Sequence, residues 1–187
     1  MLYFDSLGHT PDKKKPEYWN GGIKWVSLSD SFRLDNVYIS KTDKEVSKLG
    51  IKNSSAVMHS KETVIISRDA GIGKSAILQD DMAVSQHFIA WNCGENLNNH
   101  FFYYLLQLWK PRFEAVAIGS TIKTIGLPYF KKLKIPVPPL SEQQKIASIL
   151  TSIDNNIEQK QTKLTQTKKL KKALMADLLT GRVRVKL

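Results

Sequence analysis

The tripeptide Gly73-Lys74-Ser75 is the stretch of this sequence that comes nearest to a catalytic motif. It matches the end of the glycine-rich loop that cradles nucleotide phosphates, and the first glycine of that motif would fall at position 68. Position 68 is an arginine, and the residues after Ser75 are typical of a strand rather than of the helix whose N-terminus holds the phosphates. We therefore expect no nucleotide site here. An enzyme built on this loop is the least favoured hypothesis.

The loop from Arg68 to Lys74 is better interpreted as one that faces nucleic acid, because it carries a base at each end. A second loop, Thr10 to Ser27, places Lys13, Lys14 and Lys15 just before Tyr18, Trp19 and Asn20. This combines charges that attract phosphate with groups that can contact base edges or sugars. A solvated lysine turn beside core tryptophans at positions 19 and 25 explains the same residues, and the sequence alone leaves both explanations open.

Composition favours a phosphate-rich partner. The 187 residues contain 28 Lys and Arg against 17 Asp and Glu, for a net charge of +11, although an acidic protein surface would also suit this charge. A single cysteine excludes an internal disulfide, and four scattered histidines have no metal-ligand spacing. The sequence contains no apolar run of membrane-spanning length, and its N-terminus lacks the pattern of a signal peptide. We therefore expect a cytoplasmic chain with no metal and no membrane partner.

The element that must organise these loops is a long helix from 140 to 181. Prolines at 136, 138 and 139 forbid helix upstream, and Ser141 with Gln144 fits a capping box that starts the helix at Ser141. Gly181 is suited to end it. At the rise of an α-helix the segment would be roughly 60 Å long, more than a domain of this size needs for its own core.

The same segment has an apolar seam with the alternating spacing of a helix that pairs with another helix. The seam consists of Ile146, Leu150, Ile153, Ile157, Leu164, Leu174 and Leu178. Lys160, Thr167 and Lys171 interrupt it, so the middle should pair poorly. The alternative is a solvated helix packed along its own domain, but an unpaired helix so rich in lysine would be marginal in water.

The residues before the long helix predict a mixed α/β body. Strands are expected at 23–28, 63–67, 75–78 and 82–91, and helices at 43–49 and 97–110, the latter apolar on two faces and ended by Pro111. A turn, a short helical piece and an extended run should follow at 121–139. The predicted fold is α+β, with a globular domain at 1–139, a pairing helix at 140–181 and a basic tail at 182–187.

Several stretches together resemble the specificity subunit of type I restriction-modification enzymes. They are GHTPDKKKPEYWNGGIKWVS, RDAGIGK, MAVSQHFIAW, LPYFKKLKIPVPPLSEQQKIASIL and KKALMADLLTGRVRV. The resemblance implies a target-recognition domain that reads half of a split site in double-stranded DNA, and a spacer helix that pairs antiparallel. It also implies a non-catalytic chain. A methyltransferase subunit would bring S-adenosylmethionine, and a restriction subunit would bring ATP and magnesium.

This chain differs from the usual family pattern because it has one recognition domain and one spacer helix instead of two of each. We therefore expect a half subunit that forms a homodimer or pairs with a second half. The strand that usually precedes the first loop has little room before Gly8. An alternative hypothesis is an orphan or phage-borne protein that binds methyltransferase subunits through its helix without targeting them.

The candidate DNA-contacting residues lie in the two loops and in the MAVSQHFIAW stretch. They are Thr10, Lys13, Lys14, Lys15, Tyr18, Trp19, Asn20, Ser27, Arg68, Lys74 and Gln86. No catalytic residue is assigned, because the sequence contains neither a methyltransferase motif nor paired carboxylates at a suggestive spacing.

Overall fold

The computed structural model describes residues 9–185. Its strands are β1 (Trp19–Val26), β2 (Tyr38–Ile39), β3 (Lys44–Val46), β4 (Val57–His59), β5 (Val64–Ser67), β6 (Ser75–Leu78), β7 (Met82–Val84) and β8 (Phe88–Trp91). Its α-helices are α1 (Lys48–Lys52), α2 (Asn99–Leu108), α3 (Lys110–Val116), α4 (Leu127–Lys131) and α5 (Leu140–Leu179), and 3₁₀ helices span Pro16–Tyr18 and Leu28–Asp35. The residues before Gly8, where we expect little room for the usual first strand, lie outside the described residues. So do the last two residues of the basic tail.

The described strands form two four-stranded sheets, with orders β3-β1-β7-β4 and β2-β6-β5-β8. Strand β1 runs parallel to β7 and β2 runs parallel to β6, whereas the other pairs are antiparallel. The fold is therefore mixed α/β, as the sequence predicted.

The β5–β6 hairpin is buried on both faces, which explains its continuous apolar sequence. On one face, Val64, Ile66 and Ile77 belong to the same core cluster as the aromatic residues of α2. On the other, Ile65 and Leu78 pack with residues of β1 and β7. The predicted strands and the loop between them are confirmed.

The predicted helix at 43–49 is wrong. Residues Lys44–Val46 form β3, which pairs antiparallel with β1, and α1 begins only after Ser47. The Ser47 hydroxyl accepts from the Gly50 amide at 3.0 Å and caps α1, so Gly50 lies inside that helix rather than after it. Strand pairing and burial of Val46 outweigh the local capping pattern.

Two other boundaries also differ from the prediction. The run 82–91 is not one strand, because Ser85–His87 break it and β7 and β8 enter different sheets. Pro111 does not end helical structure either. It occupies the first turn of α3, where the missing amide hydrogen would have had no helical acceptor. Leu108, the last residue of α2, is exposed, although the periodic pattern placed it on a buried face.

Helix α5 begins one residue earlier than predicted. The Pro139 carbonyl accepts the amides of Glu142 at 2.9 Å and Gln143 at 3.1 Å, so Ser141 lies within the first turn and the predicted capping box is wrong. The predicted end is confirmed. Gly181 has a φ of 74°, which favours glycine, and its amide donates to the Leu178 carbonyl at 3.3 Å.

Gln143 anchors the first turns of α5. Its side chain is fully buried, and its Oε1 accepts from the Asn98 amide at 2.8 Å. Its Nε2 donates to the carbonyls of Asn96 at 3.1 Å and Pro138 at 2.8 Å. The predicted capping box used Gln144, and Gln143 is not among the residues predicted from the sequence. Residues up to Ala147 form one compact unit, and those from Ser148 onward form a second.

Candidate nucleic-acid interface

The ends of four strands meet at one edge of the globular unit. Parallel β1 and β7 finish in register at Val26 and Val84, and the Ser85 amide donates to the Val26 carbonyl at 2.9 Å. The last residue of β5, Ser67, pairs with Phe88, the first residue of β8. Because residues 85–87 connect β7 to β8, the loops after β1, β5 and β7 are brought together. We call this region the loop edge.

Three chain segments are tied together at the loop edge. The Arg68 amide donates to the His87 carbonyl at 3.0 Å, and the Ile125 amide donates to the Arg68 carbonyl at 2.9 Å. Asp69 connects the same segments through its side chain, because one carboxylate oxygen lies 2.5 Å from His87 Nδ1 and the other accepts from the Thr124 hydroxyl.

The structure places Arg68 at the loop edge but leaves little of its side chain free. The side chain is only 18% exposed. Its Nε donates to the Ile125 carbonyl at 3.0 Å and lies 4.0 Å from Asp69. Arg68 therefore joins the loop edge to the segment after α3 as well as contributing positive charge.

Lys74 lies at the other end of the same hairpin loop. Gly71 and Gly73 have φ values of 76° and 78°, left-handed conformations that allow the loop to turn back into β6. The Lys74 Nζ is 2.7 Å from a carboxylate oxygen of Asp35. Asp35 is the last residue of the 3₁₀ helix that comes after β1. Its charge is therefore paired with a carboxylate that is itself 62% exposed.

Thr10, Ser27 and Gln86 also reach this edge. The Thr10 hydroxyl donates to Gln86 Oε1 at 3.2 Å, which ties the first described segment to the loop after β7. Ser27 follows β1, and its amide and hydroxyl both donate to Asp30, at 3.0 Å and 3.2 Å. Ser27 thus starts the 3₁₀ helix Leu28–Asp35 in a capping box, and its hydroxyl also lies 2.8 Å from the Ser29 hydroxyl.

The other predicted contacts, from Lys13 to Asn20, lie at the opposite end of β1 from Ser27. Tyr18 is buried, and its hydroxyl accepts from Lys15 Nζ at 3.2 Å, a bond that raises the pKa of Lys15. Trp19 is half-buried, with its indole donating to the Asp12 carbonyl at 3.2 Å and its ring edge-on to Trp25.

Lys13, Lys14 and Asn20 are exposed beside these aromatic residues. Asn20 has a φ of 56°, in the left-handed region that asparagine tolerates. The predicted residues therefore form two groups, one at the loop edge and one at the start of β1. The aromatic residues of the second group are packed in the way that the core-tryptophan explanation describes.

A loop with two exposed isoleucines borders the loop edge. Residues Ile118 and Thr124 pair as an isolated bridge, and Gly119 to Lys123 form the loop between them. Ile118 is 80% exposed and Ile122 is 64% exposed. A cleft of about 450 Å³ separates this loop from Asp69–Ile72.

Asp69, His87 and Thr124 are not among the contact residues predicted from the sequence. A signal was present for His87, because Ser85-Gln86-His87 is a polar break between two apolar runs. The interpretation of 82–91 as one strand hid it. Nothing in the sequence indicates that Thr124 contacts Asp69, since the contact spans 55 positions.

Between residues 9 and 185, no group of three or more His, Cys, Asp or Glu side chains is arranged to hold a metal ion. The described helices include none that is both long enough and apolar enough to cross a membrane.

Comparison with known proteins gives consistent matches. Residues 5–169 match the family model described as type I restriction modification DNA specificity domain. The MjaIX specificity subunit of Methanocaldococcus jannaschii is 30% identical over 155 residues, which cover 82% of this chain and 36% of that protein. The EcoR124I/EcoR124II specificity subunit of Escherichia coli is 28% identical over 153 residues, covering 79% and 37%.

Solved structures share the fold. A structure of a type I R-M system aligns with a TM-score of 0.67 at 18% identity, over 92% of this chain and 42% of that one. The S subunit of a type I system from M. genitalium aligns with a TM-score of 0.60 at 21% identity, over 94% and 43%. The chain thus spans little more than a third of the length of these curated relatives.

Proposed function

Because this chain belongs to the family of type I restriction modification DNA specificity domains, we propose that it recognises a specific DNA sequence. In this proposal it directs a methyltransferase subunit, and through that assembly a restriction subunit, to the recognised site. The observation that carries the proposal is the loop edge, where segments distant in sequence are locked together by Arg68, Asp69 and His87. A rigid surface made of loops on a sheet scaffold is suited to reading base edges.

Charge supports the same proposal. The net charge of +11 favours association with a polyanion. We assign Arg68, Gln86 and Thr10 to the surface that meets the bases, and the exposed Lys13 and Lys14 to the phosphate backbone.

The chain is proposed to bind DNA without catalysing a reaction. The relatives are named specificity subunits of type I restriction enzymes. S-adenosylmethionine, ATP and magnesium would then be bound by the methyltransferase and restriction subunits. A cytoplasmic location, where the DNA is, forms part of the proposal.

Helix α5 is proposed to pair antiparallel with the same helix of a second copy. Its seam residues Ile153, Ile157, Leu164, Leu174 and Leu178 are each between 43% and 57% exposed in the described chain. A second helix would cover them and would relate two recognition surfaces by a two-fold axis. The DNA site would then consist of inverted halves.

The test is to express this chain with a type I methyltransferase subunit from its own host in cells that lack DNA methylation. Adenine methylation is then read across the genome. We expect a new split motif with inverted halves. If the two proteins form a complex but no motif is methylated, the DNA-recognition role is wrong and the chain is an interaction protein that occupies the methyltransferase through its helix.

A further inference from the structure

We propose that His87 determines specificity by accepting a hydrogen bond from a DNA base at its Nε2 atom, while Asp69 holds the ring in place. The inference rests on the proposed DNA-recognition function and adds a residue and a contact chemistry to it. Neither residue was a candidate on sequence grounds.

Position is the first support. His87 is the last residue of the short connection between β7 and β8, at the loop edge. Its backbone carbonyl is fixed by the Arg68 amide at 3.0 Å. The side chain remains 31% exposed, so the ring can reach a molecule bound at that edge. It also directly follows Gln86, whose side-chain Oε1 accepts from the Thr10 hydroxyl at 3.2 Å.

The hydrogen-bond partner of the ring is the second support. His87 Nδ1 lies 2.5 Å from a carboxylate oxygen of Asp69. An ionised carboxylate can only accept, so Nδ1 must carry the hydrogen. When the ring is neutral and Nδ1 carries the hydrogen, the lone pair is on Nε2, and that atom is the acceptor left for a ligand.

The chemistry of this acceptor selects among bases. In the major groove, adenine and cytosine each present an exocyclic amino group that donates, whereas guanine and thymine present acceptors. An Nε2 lone pair therefore fits the N6 amino group of adenine or the N4 amino group of cytosine. Facing guanine O6 or thymine O4, two acceptors would oppose each other and the contact would be lost.

Rigidity is the third support. The Asp69 carboxylate is only 15% exposed, and its second oxygen accepts from Thr124. Ile125 follows Thr124 in the chain, and Arg68 bonds to both its amide and its carbonyl. A ring supported in this way loses little conformational freedom on binding, and its acceptor points in one direction.

A purely structural pair is the competing explanation, since Asp69 and His87 also hold two loops together. The two roles predict different results. A structural pair affects stability and binding to all sequences alike, whereas a base-reading pair alters preference at one position of the site.

The experiment compares the complex of the full chain and its methyltransferase subunit in four forms: unmodified, His87→Ala, Asp69→Asn and Lys123→Ala. Each is used to select from a pool of double-stranded DNA around the methylated motif, and thermal unfolding is followed in parallel. Lys123 is the control, because it is exposed on the neighbouring loop and outside the Asp69–His87 pair.

For His87→Ala we expect relaxed preference at one adenine or cytosine position and an affinity loss of about 2- to 13-fold on the unmodified motif, the contribution of a single hydrogen bond. Non-specific binding should remain unchanged. Asp69→Asn should alter preference at the same position, because an amide can donate to Nδ1 and move the ring hydrogen to Nε2. If His87→Ala fails to fold, Asp69→Asn tests the same position. Lys123→Ala should lower affinity for all sequences equally.

An unchanged motif in folded His87→Ala and Asp69→Asn overturns the inference while leaving the proposed function intact. A change at a guanine or thymine position would also contradict it. If the unmodified complex selects no motif at all, the proposed function itself fails.

Discussion

At the scale of single residues, Arg68 has two roles, one at the proposed DNA surface and one within the fold. As an arginine in an exposed loop it was expected to read a base or contact a phosphate. The structure adds a bond from Nε to the carbonyl of Ile125, which is fully buried. The two residues are 57 positions apart, so this second role could not be predicted from the sequence.

Arg68→Ala should therefore lower stability as well as DNA affinity. The change leaves the Ile125 carbonyl without its charged donor, which costs about 1 to 3 kcal/mol. Urea unfolding of the free chain measures this loss without DNA. Arg112→Ala is a matched control, because Arg112 is an exposed arginine stacked on Trp109, and its removal should cost less. Equal stability of the two variants would mean that Arg68 acts only at the DNA.

Cys93 provides a second test at this scale. Burial raises the pKa of its thiol to about 12, so the reactive thiolate is scarce at neutral pH. We expect iodoacetamide to leave Cys93 largely unmodified in the folded chain and to alkylate it after unfolding in urea, as measured by intact mass. Rapid alkylation of the folded chain would show that the loop after β8 opens.

At neutral pH, His100 is expected to stabilise the fold in its uncharged form. Its Nδ1 is buried without a hydrogen-bond partner among the described residues, its Nε2 is 2.8 Å from the Tyr38 hydroxyl, and burial lowers its pKa. The unfolded chain therefore takes up a proton first as the pH falls below about 6.5, the ordinary histidine value. Stability should be full above that pH and should decline below it.

Urea unfolding at a series of pH values measures this decline. His100→Phe should flatten the pH dependence between neutral pH and the folded-state pKa, whereas His9→Phe, at an exposed site, should not. A slope that persists in His100→Phe would assign the pH dependence to another group.

At the scale of secondary-structure elements, local sequence pattern predicted an element correctly where the residues it bonds to are close to it in the sequence. The β5–β6 hairpin and the end of α5 at Gly181 follow from apolar runs and turn residues close by. Pattern failed at 43–49, where β3 forms because β1 is available to pair with it. The pattern also failed at Ser85–His87, where one strand was predicted over 82–91. The chain passes there from one sheet to the other, and the spacing of apolar residues does not indicate such a change.

The pairing of α5 can be tested with seam substitutions. Leu150→Asp together with Ile157→Asp places charges on the proposed contact face, and we expect a monomer by light scattering where the unmodified chain is a dimer. Ser152→Asp with Gln159→Asp adds the same charges off the seam and should leave the dimer intact. An unchanged mass in the seam variant would remove the pairing role.

Gln143→Ala should destabilise the first turns of α5. The substitution removes the bonds from the buried Gln143 side chain to the Asn98 amide and to the carbonyls of Asn96 and Pro138, and each bond contributes about 0.5 to 1.5 kcal/mol. Gln144→Ala is the matched control, because Gln144 is exposed. Hydrogen exchange of residues 96–98 and 143–147 measures the difference, and equal protection in both variants would contradict the anchoring role.

At the scale of the whole molecule, the net charge predicts how DNA binding depends on salt, whichever residues contact the bases. A net charge of +11 predicts binding that weakens steeply with salt. Lys13→Ala with Lys14→Ala should weaken binding to every sequence and reduce the slope of log K against log salt by about two. The double variant Lys134→Ala with Lys145→Ala, which changes two exposed lysines outside both predicted groups, controls for net charge alone. A change in sequence preference would show that Lys13 or Lys14 contacts bases.

The bonds of Gln143 have a consequence for how such chains diversify. All three reach main-chain atoms, of Asn96, Asn98 and Pro138, and none depends on a neighbouring side chain. These three bonds therefore do not depend on the side chains at positions 96, 98 and 138, provided that the course of the backbone is kept. Under the proposed function, recognition loops that differ in sequence would leave these three bonds in place as long as the backbone at Asn96, Asn98 and Pro138 keeps its course.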